Sequence, residues 1–230
     1  NGNVLVAYDS CIHVLGADLN LISIIGGDEP GFDDGPAAQA KFNFPGGLVE
    51  LSDGRVLVAD SNNNVKTVAG DGMRGYDNGA AVGEAHFAYP RGLALLSDGR
   101  VLVADRDNHS IREISANLEM VDTVAGDGYE GYEDGENGAA KQATFYYPES
   151  PALLPDGRVL VADTENHVIR FLSADLQSVK TVKKDLFTSP KQIVADNDLV
   201  LVVDDDGGWV FDVDQKTTRK ALSYDGPVTC

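Results

Sequence analysis

Carboxylates dominate the side chains able to do chemistry in this sequence. Three Gly/Asp-rich segments, 27–35, 70–79 and 126–135, carry Asp71, Asp77, Asp127, Glu133 and Asp134 among glycines, with Tyr76 and Tyr132 at matching places. Clustered carboxylates on glycine-permitted turns suit a hard cation with oxygen ligands, calcium first. The run Asp71-Gly-Met-Arg-Gly-Tyr-Asp77 nevertheless lacks the alternating Asp-x-Asp-x-Asp-Gly of a calcium loop, and Arg74 opposes a dense anionic cage. The segments therefore read mainly as turns, with Gly75 and Gly131 supplying special dihedrals and Phe32, Tyr76 and Tyr132 packing as anchors. His13, His86, His109 and His167 share no ligand spacing. No Gly-x-Ser-x-Gly elbow, His-Glu-x-x-His helix or phosphate loop is present, so no catalytic residue is assigned.

The elements that position these groups follow from repetition. Asp-Gly-Arg-Val-Leu-Val-Ala-Asp occurs three times, ending at Asp60, Asp105 and Asp163, each time after an apolar run led by Pro45, Pro90 or Pro148. Two copies continue into Asn108-His-Ser-Ile-Arg and Asn166-His-Val-Ile-Arg, and a degraded fourth copy is led by Pro190. One unit reads as four short strands, a to d, near 92–96, 101–104, 110–114 and 120–124. A hairpin turn at Asp98-Gly99 separates the first two, and apolar–polar alternation in the third suggests one wetter face. No segment has the length and period of a substantial helix. The fold class is all-β, and an antiparallel four-stranded repeat of this length is the sequence form of a β-propeller blade, with a β-solenoid as the rival.

Pro-x-Gly-Leu-Ala, then Asp-Gly-Arg-Val-Leu-Val-Ala-Asp, then Asn-His-x-Ile-Arg closely resembles the NHL-repeat β-propeller family over nearly the whole of residues 1–230, read as a single domain. The resemblance implies a platform for partners rather than one chemistry. Related propellers include lactonase-like hydrolases and an amidating lyase that hold metals in a central channel. That is the alternative function, and Glu50, Glu149 and Asp196 are its candidate channel residues. Residues 4–7 match strand b and 227–230 match the start of strand a, so about five blades are expected, closed by a blade sharing N- and C-terminal strands. An incomplete larger ring is the other reading. Cys11 and Cys230 would fall in that closing blade, as a disulfide or as two ordinary thiols. After Pro45 the material of strand c is missing, either lost or omitted.

Strands alternate direction, so the b–c and d–a connections emerge together and form an acidic end. A residue repeated in every blade serves the scaffold, so Asp60, Asp105, Asp163, Arg112, Arg170, His109 and His167 are expected to form a structural network. Asp71, Tyr76, Asp77, Asp127, Tyr132, Glu133 and Asp134 then make the binding face, with the four carboxylates from Asp77 onward largely exposed. With 37 acidic against 18 basic residues the net charge is −19, which argues against nucleic acid as a partner. It favours a protein partner with a basic surface. No apolar run reaches the roughly 20 residues of a membrane span, so direct membrane insertion is not expected. The sequence starts at Asn1, compatible with removal of a targeting segment and an extracellular or lumenal location. The expected function is non-enzymatic, a protein-interaction scaffold or subunit of a larger assembly with no cofactor, calcium being the alternative.

Overall fold

The computed structural model describes residues 2–27, 29–31, 35–61, 74–81, 84–183, 186–196, 199–212 and 218–223. Its strands are β1 (Val4–Tyr8), β2 (Cys11–Leu15), β3 (Leu21–Ile25), β4 (Pro45–Glu50), β5 (Val56–Asp60), β6 (Gly79–Ala80), β7 (Pro90–Leu95), β8 (Val101–Asp105), β9 (Ser110–Ile114), β10 (Met120–Ala125), β11 (Pro148–Leu153), β12 (Val159–Asp163), β13 (Val168–Leu172), β14 (Val179–Lys183), β15 (Pro190–Asp196), β16 (Leu199–Asp204), β17 (Gly207–Asp212) and β18 (Thr218–Ser223). Helix is confined, among the described residues, to single 3-10 turns such as Arg106–Asn108 and Thr164–Asn166.

The strands form five sheets, in the orders β1-β2-β3, β4-β5, β6-β10-β9-β8-β7, β11-β12-β13-β14 and β15-β16-β17-β18. Consecutive strands pair antiparallel, as the repeat requires of a blade. Each a–b hairpin has one register: Pro45, Pro90, Pro148 and Pro190 stand opposite Asp60, Asp105, Asp163 and Asp204, with an irregularity just after the proline. The proline's missing N–H is tolerated because it opens the strand at that irregularity. At the far end the Asp-Gly-Arg turn is built alike in three copies. Gly54, Gly99 and Gly157 take φ of 85°, 89° and 86°, and the preceding aspartate accepts the arginine backbone N–H.

By internal packing the chain divides into two compact units, residues 1–108 with 113–122, and residues 109–112 with 123–230. In the first, Leu51, Leu57, Val101, Val103, Ile114 and Val121 make a core with Ala81 and Ala85. Strand a of one blade presses on strand a of the next: a Cβ on Gly47 would lie 2.7 Å from the Leu93 nitrogen. In the second, Leu154, Leu160, Ile169, Phe187, Ile193, Val200 and Val202 form the core between consecutive blades. All five residues of β12 are buried, so its Val-Leu-Val-Ala run is apolar on both faces, at about 2 kcal/mol of burial per Val or Leu. Hydroxyls staple neighbouring blades. Ser61 Oγ donates to the Pro90 carbonyl at 2.9 Å in the first unit, and Thr164 Oγ1 to that of Pro190 at 2.8 Å in the second.

Strand c departs from its expected wet face. Arg112 and Arg170, the polar members of the alternation, are fully buried; Arg170 is tolerated because carboxylates and carbonyls surround it, as set out below. The N-terminal segment forms the sheet β1-β2-β3, the strands b, c and d expected of it. Its proposed fourth strand at 227–230, with Cys230, lies outside the described residues. So does 62–73, where strand c after Pro45 would fall.

Candidate functional site

Four strand-b aspartates share one task. Asp60 accepts the Asn43 N–H at 2.8 Å, Asp105 that of Ala88 at 2.7 Å, Asp163 that of Tyr146 at 2.7 Å and Asp204 that of Thr188 at 2.7 Å. The donor in each case stands two residues before the leading proline, so each carboxylate pins the chain as it enters strand a. The residue between donor and proline is left-handed where it is aromatic: Phe44, Tyr89 and Tyr147 have φ of 58°, 50° and 54°. Such backbone costs about 1 kcal/mol or more and persists where its surroundings fix it.

The Asn of Asn-His-x-Ile-Arg joins this clamp, a role the sequence reading did not give it although the motif was in view. Asn108 Nδ2 donates to Asp105 and to the Gly75 carbonyl, and Asn166 Nδ2 to Asp163 and the Gly131 carbonyl. The d–a loop is thereby tied to strand b. In the second unit the second oxygen of Asp163 also accepts from Arg170 Nη1 at 2.8 Å. The same guanidinium donates to the Thr144 and Glu133 carbonyls and to Asp134, and lies 5.0 Å from the Phe145 ring centroid. Burial raises the Asp163 carboxyl to about 6, although Arg170, Asn166 and the Tyr146 amide pull it down. Asp60, buried with the Asn43 amide opposing the shift, is raised to about 7.

The loop carboxylates divide into two kinds. Asp127 and Glu133 are exposed in the second unit, and Asp77 in the first. Asp127 accepts the Tyr129 N–H, the Glu133 N–H bonds Thr144 Oγ1, and Asp77 lies 2.9 Å from His86 Nδ1. Asp134 corrects the expectation of a largely exposed binding group: it holds Arg170 and accepts from both the backbone and hydroxyl of Thr181. Tyr132 is half-buried, 5.8 Å from Arg170 across its ring, whereas Tyr76 is 37% exposed. Asp71 lies outside the described residues.

His109 and His167 both adopt left-handed backbone, φ 51° and 59°, closing the turn before strand c. The His167 ring bonds the Thr188 carbonyl, and His109 stacks on Tyr147 at 5.1 Å. Among the described residues no group of three or more His, Cys, Asp or Glu is arranged to hold a metal ion. Glu149 is the second residue of β11 and Asp196 the last of β15, so these two stand at different registers; Glu50 ends β4 in the other unit. Cys11 Sγ donates to the Tyr8 carbonyl.

No helix among the described residues is long and apolar enough to cross a membrane. Residues 87–114 match the NHL repeat. No curated protein sequence matches the chain significantly. A gluconolactonase from Xanthomonas campestris is similar in structure, with 13% identity and a TM-score of 0.60, over 91% of this chain and 68% of that one. A streptogramin B lyase aligns at 15% identity and a TM-score of 0.58, over 96% and 68%. An extracellular domain described as part of a hybrid two-component system of B. thetaiotaomicron aligns at 13% identity and a TM-score of 0.61. It covers 97% of this chain, which spans only 29% of that protein. At these identities the likeness is one of fold. The repeated blades and these structures agree on the fold: the chain is a β-propeller, and residues 87–114 within it match an NHL repeat.

Proposed function

We propose that this propeller is a protein-interaction module that captures a partner with a basic surface through the acidic, loop-bearing ends of its blades. One observation carries the reading. In the second unit the d–a loop and the b–c turn are bonded together through Asn166 and the Gly131 carbonyl, and this junction is flanked by exposed Asp127, Glu130, Glu133 and Glu165. The loops are held rigidly from beneath while their carboxylates are left to solvent, an arrangement suited to recognition. The net charge of −19 adds long-range attraction for a basic partner and fades with salt.

The test is capture of basic proteins at low and physiological salt by the wild-type chain and by the double variant Asp127→Lys/Glu133→Lys. These two carboxylates are chosen because, unlike Asp134, neither engages a buried arginine. The variant should fold normally, capture about tenfold less at low salt, and lose most of its salt dependence. Capture that survives the reversal but disappears when Asp98, on the a–b hairpin turn, is changed would overturn the reading. So would saturable calcium binding in calorimetry that the same reversal abolishes.

A further inference from the structure

Two d–a loops of the chain share the same pairings where both are described, and differ at two equivalent positions. Arg74 pairs in a parallel bridge with Phe87, and Glu130 pairs in the same way with Phe145. Ala88 and Tyr146 are equivalent because each gives its N–H to the strand-b aspartate of its own blade, so Tyr89 and Tyr147 are equivalent too. In the earlier loop the Arg74 guanidinium lies 4.0 Å from the centroid of the Tyr89 ring, a close cation–π contact. In the later loop the arginine is replaced by Glu130, and Ala88 by a second ring, Tyr146.

The surroundings of Tyr146 match a cation from outside. Its ring lies 5.7 Å from His109, edge on, and 5.0 Å from Tyr147, so three ring systems gather at this point. The Glu165 N–H donates to the Tyr146 carbonyl at 3.1 Å, which brings the b–c turn against the tyrosine. Glu130 and Glu165 are both exposed. The negative field reaches the phenol, whose pKa is raised above its ordinary value chiefly by Glu130, with further contributions from burial, Tyr147 and Glu165.

We propose that Tyr146, rimmed by Glu130 and Glu165 and backed by His109 and Tyr147, receives an arginine side chain from the partner protein. This deepens the acidic-face reading and rests on it. The earlier loop shows the geometry with an internal guanidinium on its tyrosine, and the later loop has the opposite charge at the same place and a wider aromatic surface. Arginine is favoured over lysine because its planar group stacks on a ring while pairing with carboxylates at its edge.

The probe is a tetra-arginine peptide titrated into the whole chain at physiological salt by calorimetry, with tetra-lysine for comparison. Tyr146→Ala, which installs the residue of the earlier loop, and Glu130→Arg, which installs that loop's own cation, should each weaken tetra-arginine binding about tenfold. Tyr146→Phe keeps the ring face and should bind within about twofold of wild type. Melting curves establish that each variant is folded; Glu130 is exposed, so its variant keeps the test alive if Tyr146→Ala unfolds. Wild-type affinity in the folded Glu130→Arg and Tyr146→Ala proteins would overturn the proposal, as would stronger binding of tetra-lysine. If Asp127→Lys/Glu133→Lys weakens the peptide while those two do not, the acidic face stands and this site falls; if none of them matters, both fall.

Discussion

Two aspartates at equivalent positions are held in opposite ways. Asp163 faces a buried guanidinium, so replacing it leaves Arg170 with Asp134, whose side chain is 40% exposed, as its remaining anion. Asp163→Asn should cost about 2 kcal/mol and lower Tm by roughly 5 °C, whereas Asp134→Asn, at the solvent edge, should cost less than half of that. Scanning calorimetry of the two variants decides it; equal losses would mean that Arg170 does not distinguish its partners. Asp60 faces no arginine among the described residues, and its pKa is raised from 3.8 to about 7 by burial. A raised carboxyl makes the folded state hold a proton that the unfolded chain releases. The associated stability is therefore full below pH 4 and is lost as pH climbs toward 7. Urea unfolding at pH 5 and pH 8 should show wild type less stable at the higher pH. Asp60→Asn, which keeps an oxygen for the Asn43 N–H, should remove the larger part of that difference and leave the smaller part owed to Asp163, raised to about 6; an undiminished slope would place the titrating group elsewhere.

The elements depend on glycines for two separate reasons, and substitution separates them. Gly54 sits in open space but at φ 85°, so Gly54→Ala should cost about 1 kcal/mol through backbone strain alone. Gly47 faces the Arg91, Gly92 and Leu93 backbone at 2.7–2.9 Å, which cannot swing aside. Gly47→Ala should then cost about 3 kcal/mol, since it must push two blades apart; denaturant midpoints compare the pair directly. The strands themselves were readable from short-range signals. Val-Leu-Val-Ala between an Asp-Gly turn and an aspartate has one plausible local structure, and β8, β9 and β10 fall within a residue or so of their expected limits. What escaped was set by distance or by context. The grip of Arg170 on Asp134 spans 36 positions, and nothing in either local sequence announces it. Left-handed backbone at Leu118, Leu176, His109 and His167 is carried by side chains that do not ask for it, so only the closed turn reveals it. The acidic loops were legible as acidic, but not which carboxylates the scaffold would consume.

At the scale of the molecule, 37 acidic residues against 18 basic ones leave the folded state under self-repulsion. Raising sodium chloride to about 0.5 M shortens the Debye length to roughly 4 Å and should raise Tm measurably. An unchanged or lower Tm would show that local ion pairs outweigh the net field. A different consequence follows from the aspartate clamps. Each closes a segment of only 16 or 17 positions, so the entropy lost in forming it is small and is incurred within one repeat rather than between distant parts of the chain. Every hairpin therefore carries its own latch, and folding can begin at whichever repeat closes first. The amides of Asn43, Ala88, Tyr146 and Thr188, although outside the strands, should exchange with deuterium as slowly as the strands they guard, each in step with its own hairpin.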